Sequence, residues 1–158
     1  MSKIIYFDLD GTLYNLYQKP NWLEDLREEK AGVFSDKNLL MVDFERFYFS
    51  LMELFKNGYQ FGVISWLPMQ ASIEYEEICR KEKIAWIAEN LPFVEEINIV
   101  PYGTPKQSAI QKRRKEMILI DDNMEVCQMW NTPKQRSSYH VSEYIDVLDI
   151  LDQIIDKQ

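Results

Sequence analysis

The sequence predicts an α/β fold, a parallel sheet with helices on both faces. Three observations carry this. Short apolar runs recur along the chain and stop at polar or turn-forming residues, as strands buried on both faces do. The stretches between them place apolar residues at spacings of three and four, the helical period. Strands that alternate with helices imply βαβ crossovers. The chain has 158 residues, 46% of them hydrophobic and 28% charged, which suits one domain that buries its own core.

The first strand is expected at residues 3–8, where Lys-Ile-Ile-Tyr-Phe-Asp runs into Leu-Asp-Gly. Residues 61–65, 96–101 and 117–121 supply three more, and 138–141 a weaker fifth. A helix is expected over 43–56, with Phe44, Phe47, Tyr48, Leu51, Met52 and Phe55 on one stripe and Gly58 just past its end. Further helices are expected over 69–90, over 105–115 opened by Pro105, and over 143–156. The run Lys112-Arg113-Arg114-Lys115 then reads as a solvated helix end. His140, the one histidine, reads as structural.

About thirty residues separate Thr12 from the helix near 43, where a βα loop usually takes about two to six. A short charged helix over 21–30, capped by Asn21, is expected inside this insert, among Tyr14, Tyr17, Trp22 and Phe34. Its length suggests a lid or binding loop, against the alternative of an ordinary surface helix.

Composition bounds the function. The net charge of −8 opposes binding to polymeric nucleic acid. No apolar run approaches the roughly 18 residues of a membrane span. The start, Met1-Ser2-Lys3, leads at once into strand-like sequence, so no signal peptide is expected. Cys79 and Cys127 lack metal-ligand spacing and read as reduced thiols, which suits the cytoplasm.

In open α/β sheets, ligands bind beyond the carboxyl ends of the strands. There the sequence assembles Asp8, Asp10 and Thr12 after strand one, Ser65 at the end of strand two, Lys106 after strand three, and Asp121-Asp122 at the end of strand four. Clustered carboxylates repel, and an oxygen-loving divalent cation relieves them. Thr12, Ser65 and Lys106 are donors suited to phosphate oxygens.

These residues resemble the haloacid dehalogenase superfamily. Asp8-Leu9-Asp10-Gly11-Thr12 matches its first motif, Ser65 its second, Lys106 its third and Asp121-Asp122 its fourth, in order over residues 4 to about 126. The resemblance implies a Rossmann-like three-layer sandwich with a five-stranded parallel sheet in the order 5-4-1-2-3. It implies one domain over 1–158, with a small helical cap over 14–42. It implies a Mg²⁺-dependent phosphatase in which Asp8 is the nucleophile and Asp10 the general acid and base. Thr12, Ser65 and Lys106 would bind phosphate. Asp8, the Asp10 backbone carbonyl and Asp122 would hold the metal, with Asp121 as a supporting or alternative ligand. Residues 82–100, including Lys83, Trp86, Pro92 and Phe93, are similar to the 5′(3′)-deoxyribonucleotidases. That likeness implies a nucleoside monophosphate substrate, with Trp22, Phe44, Phe49 or Trp66 against the base. Two alternatives stand beside it: a phosphatase for another small metabolite, and a non-catalytic phosphate- or metal-binding module. Oligomeric state is not legible.

Overall fold

The computed structural model describes residues 2–131 and 135–158. Five strands, β1 (Lys3–Phe7), β2 (Tyr59–Trp66), β3 (Glu96–Val100), β4 (Glu116–Asp121) and β5 (Arg136–His140), form one sheet in the order β3-β2-β1-β4-β5. All four pairings are parallel. This is the expected order, read from the other edge. The crossovers reverse direction between β1 and β4, so the carboxyl ends of those strands flank a topological switch point.

The helices are α1 (Trp22–Arg27), α2 (Phe44–Lys56), α3 (Ile73–Asn90), α4 (Met124–Trp130) and α5 (Val147–Asp156). β1 alternates its side chains between two cores. Ile5 and Phe7 join the larger one, which gathers α2, α3, α5 and the insert. Ile4 and Tyr6 join the smaller one, against Val126 and Trp130 of α4 and partly buried Ala109 and Ile110. Helix starts follow local chemistry. Ser72 caps α3 by accepting from the Tyr75 N–H, and Asp146 with Asp149 forms a capping box at α5.

Several expectations are corrected. Residues 105–115 form no α-helix, only a 3₁₀ turn over Lys106–Ala109. Beyond that turn, Gln111 and Arg114 reach Glu96 and Asn98 of β3, and those contacts hold the backbone open. Arg114 is therefore no solvated helix end: its guanidinium is buried, 2.8 Å from Glu96. Glu96 also accepts from Tyr6 and Asn98, and Arg114 leads the contacts that hold its carboxyl low against the upward push of burial. Asn21 does not cap α1. It sits in the left-handed region at φ 61°, with no side-chain bond to the helix. Helix α4 takes up the helix-like stretch around Cys127. Along α2, Phe44, Phe47 and Leu51 enter the core, but Tyr48, Met52 and Phe55 are exposed.

Candidate active site at the carboxyl edge of the sheet

The switch point gathers the acidic residues around one lysine. Asp8 follows β1, and Asp121 ends β4. Lys106 comes from the 3₁₀ turn after β3 and donates to Asp8 Oδ1 at 2.8 Å and to Asp121 Oδ2 at 2.7 Å. All three side chains are almost fully buried. Thr12 Oγ1 donates to the other Asp8 oxygen at 3.2 Å. Burial alone would drive Lys106 toward neutrality, but the charges of Asp8 and Asp121 raise its pKa above the usual lysine range.

Asp8, Asp121 and Asp122 each offer a carboxylate oxygen within 4.8 Å of the others. Burial first, and the neighbouring carboxylates second, push Asp121 up to about 6 and Asp122 up to about 8. Such a cluster holds its charge poorly without a cation, and three hard oxygen donors suit Mg²⁺. The donor set therefore fits the metal that the sequence implies. Asp121 already has both oxygens engaged, by Lys106 and by the Asn123 N–H at 2.9 Å. Asp122 is the freer of the pair. Its backbone carbonyl lies 2.9 Å from His140 Nε2 and its carboxylate against Gly11. Gly11 has φ +82°, and a Cβ there would overlap the Asp122 carboxylate and the Tyr17 ring.

The structure adds a second buried lysine to the expected set. Lys83, on α3, donates to Asp10 Oδ2 at 2.8 Å, to Ser65 Oγ at 2.8 Å and to the Trp66 carbonyl at 2.6 Å. Burial raises the Asp10 pKa, with Lys83 opposing it. Asp10 Oδ1 has no hydrogen-bond partner among the described residues. Sequence spacing gives no sign of Lys83, which lies between charged neighbours on a helix more than seventy residues from Asp10.

A cavity of about 680 Å³ opens over Asp8, Asp10, Lys106, Asp121 and Asp122. Of the expected substrate contacts, Trp22 and Trp66 line it. Phe44 and Phe49 do not: α2 turns Phe44 into the core and leaves Phe49 67% exposed. Two aromatic pairs stand in the wall instead. Tyr17 meets Trp22 edge-to-face, and Trp66 meets Tyr102 at a tilt, each with ring centroids 5.0 Å apart.

The insert that carries Tyr17 and Trp22 is closed at its base, where Asn15 N–H reaches the Leu39 carbonyl and Met41 N–H the Leu13 carbonyl. Its far side is fastened to α3. Glu82 accepts from the Gly32 and Phe34 N–H groups, Glu29 binds Ser72 through backbone and hydroxyl, and Tyr75 donates to the Lys30 carbonyl.

The fold is of the α/β class, with its acidic cluster at the switch point. It is similar to the D,D-heptose 1,7-bisphosphate phosphatase of Burkholderia thailandensis, with a TM-score of 0.51 and 10% sequence identity, over 97% of this chain and 98% of that one. It is also similar to the HAD domain of the effector protein Lem4 from Legionella pneumophila, with a TM-score of 0.49 and 15% identity, over 98% and 93%. No family model matches the sequence, and no curated protein matches it significantly. The architecture is thus the five-stranded parallel α/β fold that the motifs implied, shared with the heptose bisphosphate phosphatase. Among the described residues, no helix is long and apolar enough to cross a membrane.

Proposed function

We propose that the chain is a Mg²⁺-dependent phosphomonoesterase. One observation carries the reading: Lys106 bridges Asp8 and Asp121, with Asp122 beside them, at the carboxyl edge of the sheet. Asp8 attacks phosphorus, and the bond from phosphorus to the ester oxygen breaks. Asp10 gives its proton to the departing alcohol. Water then attacks the aspartyl phosphate, Asp10 takes a proton from that water, and the bond to Asp8 breaks to release phosphate. Lys106 offsets the charge that gathers on the phosphoryl oxygens, with Thr12 and Ser65 as the expected donors to them. Asp8, Asp122 and the Asp10 backbone carbonyl would hold Mg²⁺, which would supply further positive charge there. Asp121 supports the site through Lys106 and Asn123.

The substrate is a small phosphate ester, and the aromatic walls favour a nucleoside monophosphate, since stacking one base on an aromatic ring contributes roughly 1–3 kcal/mol. Residues 14–42 are a small cap within a single domain, and of the four expected base contacts, Trp22 in the cap and Trp66 at the end of β2 line the cavity. Free, buried Cys79 and Cys127 suit a reducing cytoplasm.

The test is hydrolysis of 4-nitrophenyl phosphate, then of deoxynucleoside monophosphates against hexose phosphates. Turnover should require Mg²⁺ and vanish in the Asp8→Asn variant, with its circular dichroism unchanged. Turnover that survives chelation rejects the metal, and an active Asp8→Asn rejects the nucleophile. A steady preference for hexose phosphates returns the substrate to the sugar class.

A further inference from the structure

We infer that Lys83 is a positioning residue: anchored to the end of β2, it fixes the carboxylate of Asp10. The inference rests on the phosphomonoesterase reading and adds a residue to it.

The geometry separates Lys83 from Lys106. An ammonium has three donors. Those of Lys83 go to Asp10 Oδ2, Ser65 Oγ and the Trp66 carbonyl, at 2.6–2.8 Å. None is left for a phosphoryl oxygen unless one of these bonds breaks. The side chain is 1% exposed, and its Nζ lies 4.5 Å from the centre of the Phe34 ring, which the insert contributes. Lys83 is therefore held from four sides and has little freedom to swing into the cavity.

Two consequences follow for the groups it holds. Asp10 has one oxygen bound by Lys83, while Oδ1 is buried without a protein partner and the residue lines the cavity. The part of the Asp10 side chain that reaches the cavity is not Oδ1, and Lys83 fixes the orientation in which the carboxylate meets it. Ser65 Oγ also accepts from Lys83, which ties the ammonium to the end of β2, but Ser65 is fully buried and does not line the cavity. A flexible carboxylate would spend part of its time rotated away from the leaving oxygen, and pre-organisation of this kind is what positioned catalytic groups require.

The test compares phenyl phosphate, a poor leaving group, with 4-nitrophenyl phosphate, a good one. Lys83→Met should lower kcat on the phenyl ester by roughly 10²-fold, on the scale of lost acid catalysis, and on the nitrophenyl ester by less than about tenfold. KM should change little on either. In the Asp10→Asn background, the same change should add no further loss that depends on the leaving group. Lys83→Arg, which keeps the charge but not the three-way geometry, should recover only part of kcat.

An equal loss on both esters, or a rise in KM with weaker inhibition by inorganic phosphate, would overturn the inference and make Lys83 a direct phosphate ligand. If Lys83→Met alone does not fold, Lys83→Met/Asp10→Asn removes both buried charges. Its kcat and phosphate inhibition should then match Asp10→Asn within about twofold, and a further loss of either would overturn the inference. Failure of the wild-type chain on both esters rejects the phosphatase reading and this inference together. Activity with a uniform Lys83→Met loss rejects this inference alone.

Discussion

Removing Lys106 should destabilise the fold in a way that Mg²⁺ and acid both reverse. Lys106→Met deletes the one ammonium that touches Asp8 and Asp121, at 2.8 and 2.7 Å, and leaves both carboxylates buried without it. Breaking a buried ion pair from one side typically costs about 3–5 kcal/mol. For a domain of this length each kcal/mol moves Tm by roughly 2–4 °C, so the fall should be roughly 6–20 °C. Stranded Asp121, already raised to about 6, relieves itself by taking up a proton, and the penalty should therefore be smallest near pH 5.5 and largest near pH 8.5. Added Mg²⁺ should narrow the gap, because the cation replaces part of the missing charge and binds only the folded chain. The assay is thermal unfolding followed by circular dichroism, for wild type and variant, with chelator or Mg²⁺, at both pH values. A gap below about 2 °C in chelator at pH 8.5 would mean that the cluster is not held by Lys106. A gap that neither Mg²⁺ nor acid narrows would mean that the loss is one of packing.

Three other outcomes are expected. Asp10→Asn should lose roughly 10²–10⁴-fold in turnover, more on phenyl than on 4-nitrophenyl phosphate, and equal losses on the two esters would remove it as acid and base. For the metal-free wild type, Asp121 and Asp122 have folded pKa values raised to about 6 and about 8, so the folded chain binds their protons more tightly than the unfolded chain. Their contribution to stability is then complete below their ordinary pKa, near 4, and is lost as pH rises through 6 and 8. Tm in chelator should fall from pH 5.5 to 8.5 and the fall should flatten with Mg²⁺, whereas a Tm that rises over this range in chelator contradicts the raised values. Trp22→Ala should weaken kcat/KM several-fold on a deoxynucleoside monophosphate and little on the nitrophenyl ester, and equal effects would leave Trp22 as scaffold.

How legible the molecule is depends on how local each signal is. Strand β1 and the turn after it are written in consecutive residues, because a buried parallel strand needs an unbroken apolar run and the turn needs Gly11 at positive φ. The same holds for β2, β4 and α2, although strand ends shift by one or two residues. The segment after β3 misleads because Pro105 is a good helix opener, while what decides its course is distant: Arg114 pairs with Glu96. Buried Glu96 and Asn98, on the same face of β3, were the available sign that something must satisfy them. Helix α4 had its sign in Asn123, whose side chain accepts from the Val126 N–H. The acidic half of the site could be placed from strand ends. Lys83 could not, because it reaches Asp10 from the middle of a helix whose charged residues otherwise look alike.

Helix α3 does two jobs with adjacent residues: Glu82 fastens the insert and Lys83 grips Asp10. Neighbours on a helix point about 100° apart around its axis, so a single orientation of this rod serves both. Inserting or deleting one residue between Ser72 and Glu82 would swing both side chains by that same 100° while Ser72 stayed tied to Glu29. Length changes in this stretch should therefore be far more damaging than point substitutions on its exposed face. Homologues that differ in length should carry the difference elsewhere, in the insert between Thr12 and Phe44 or in the segment after β3. An alignment that opens a gap inside residues 73–83 should be treated as misplaced.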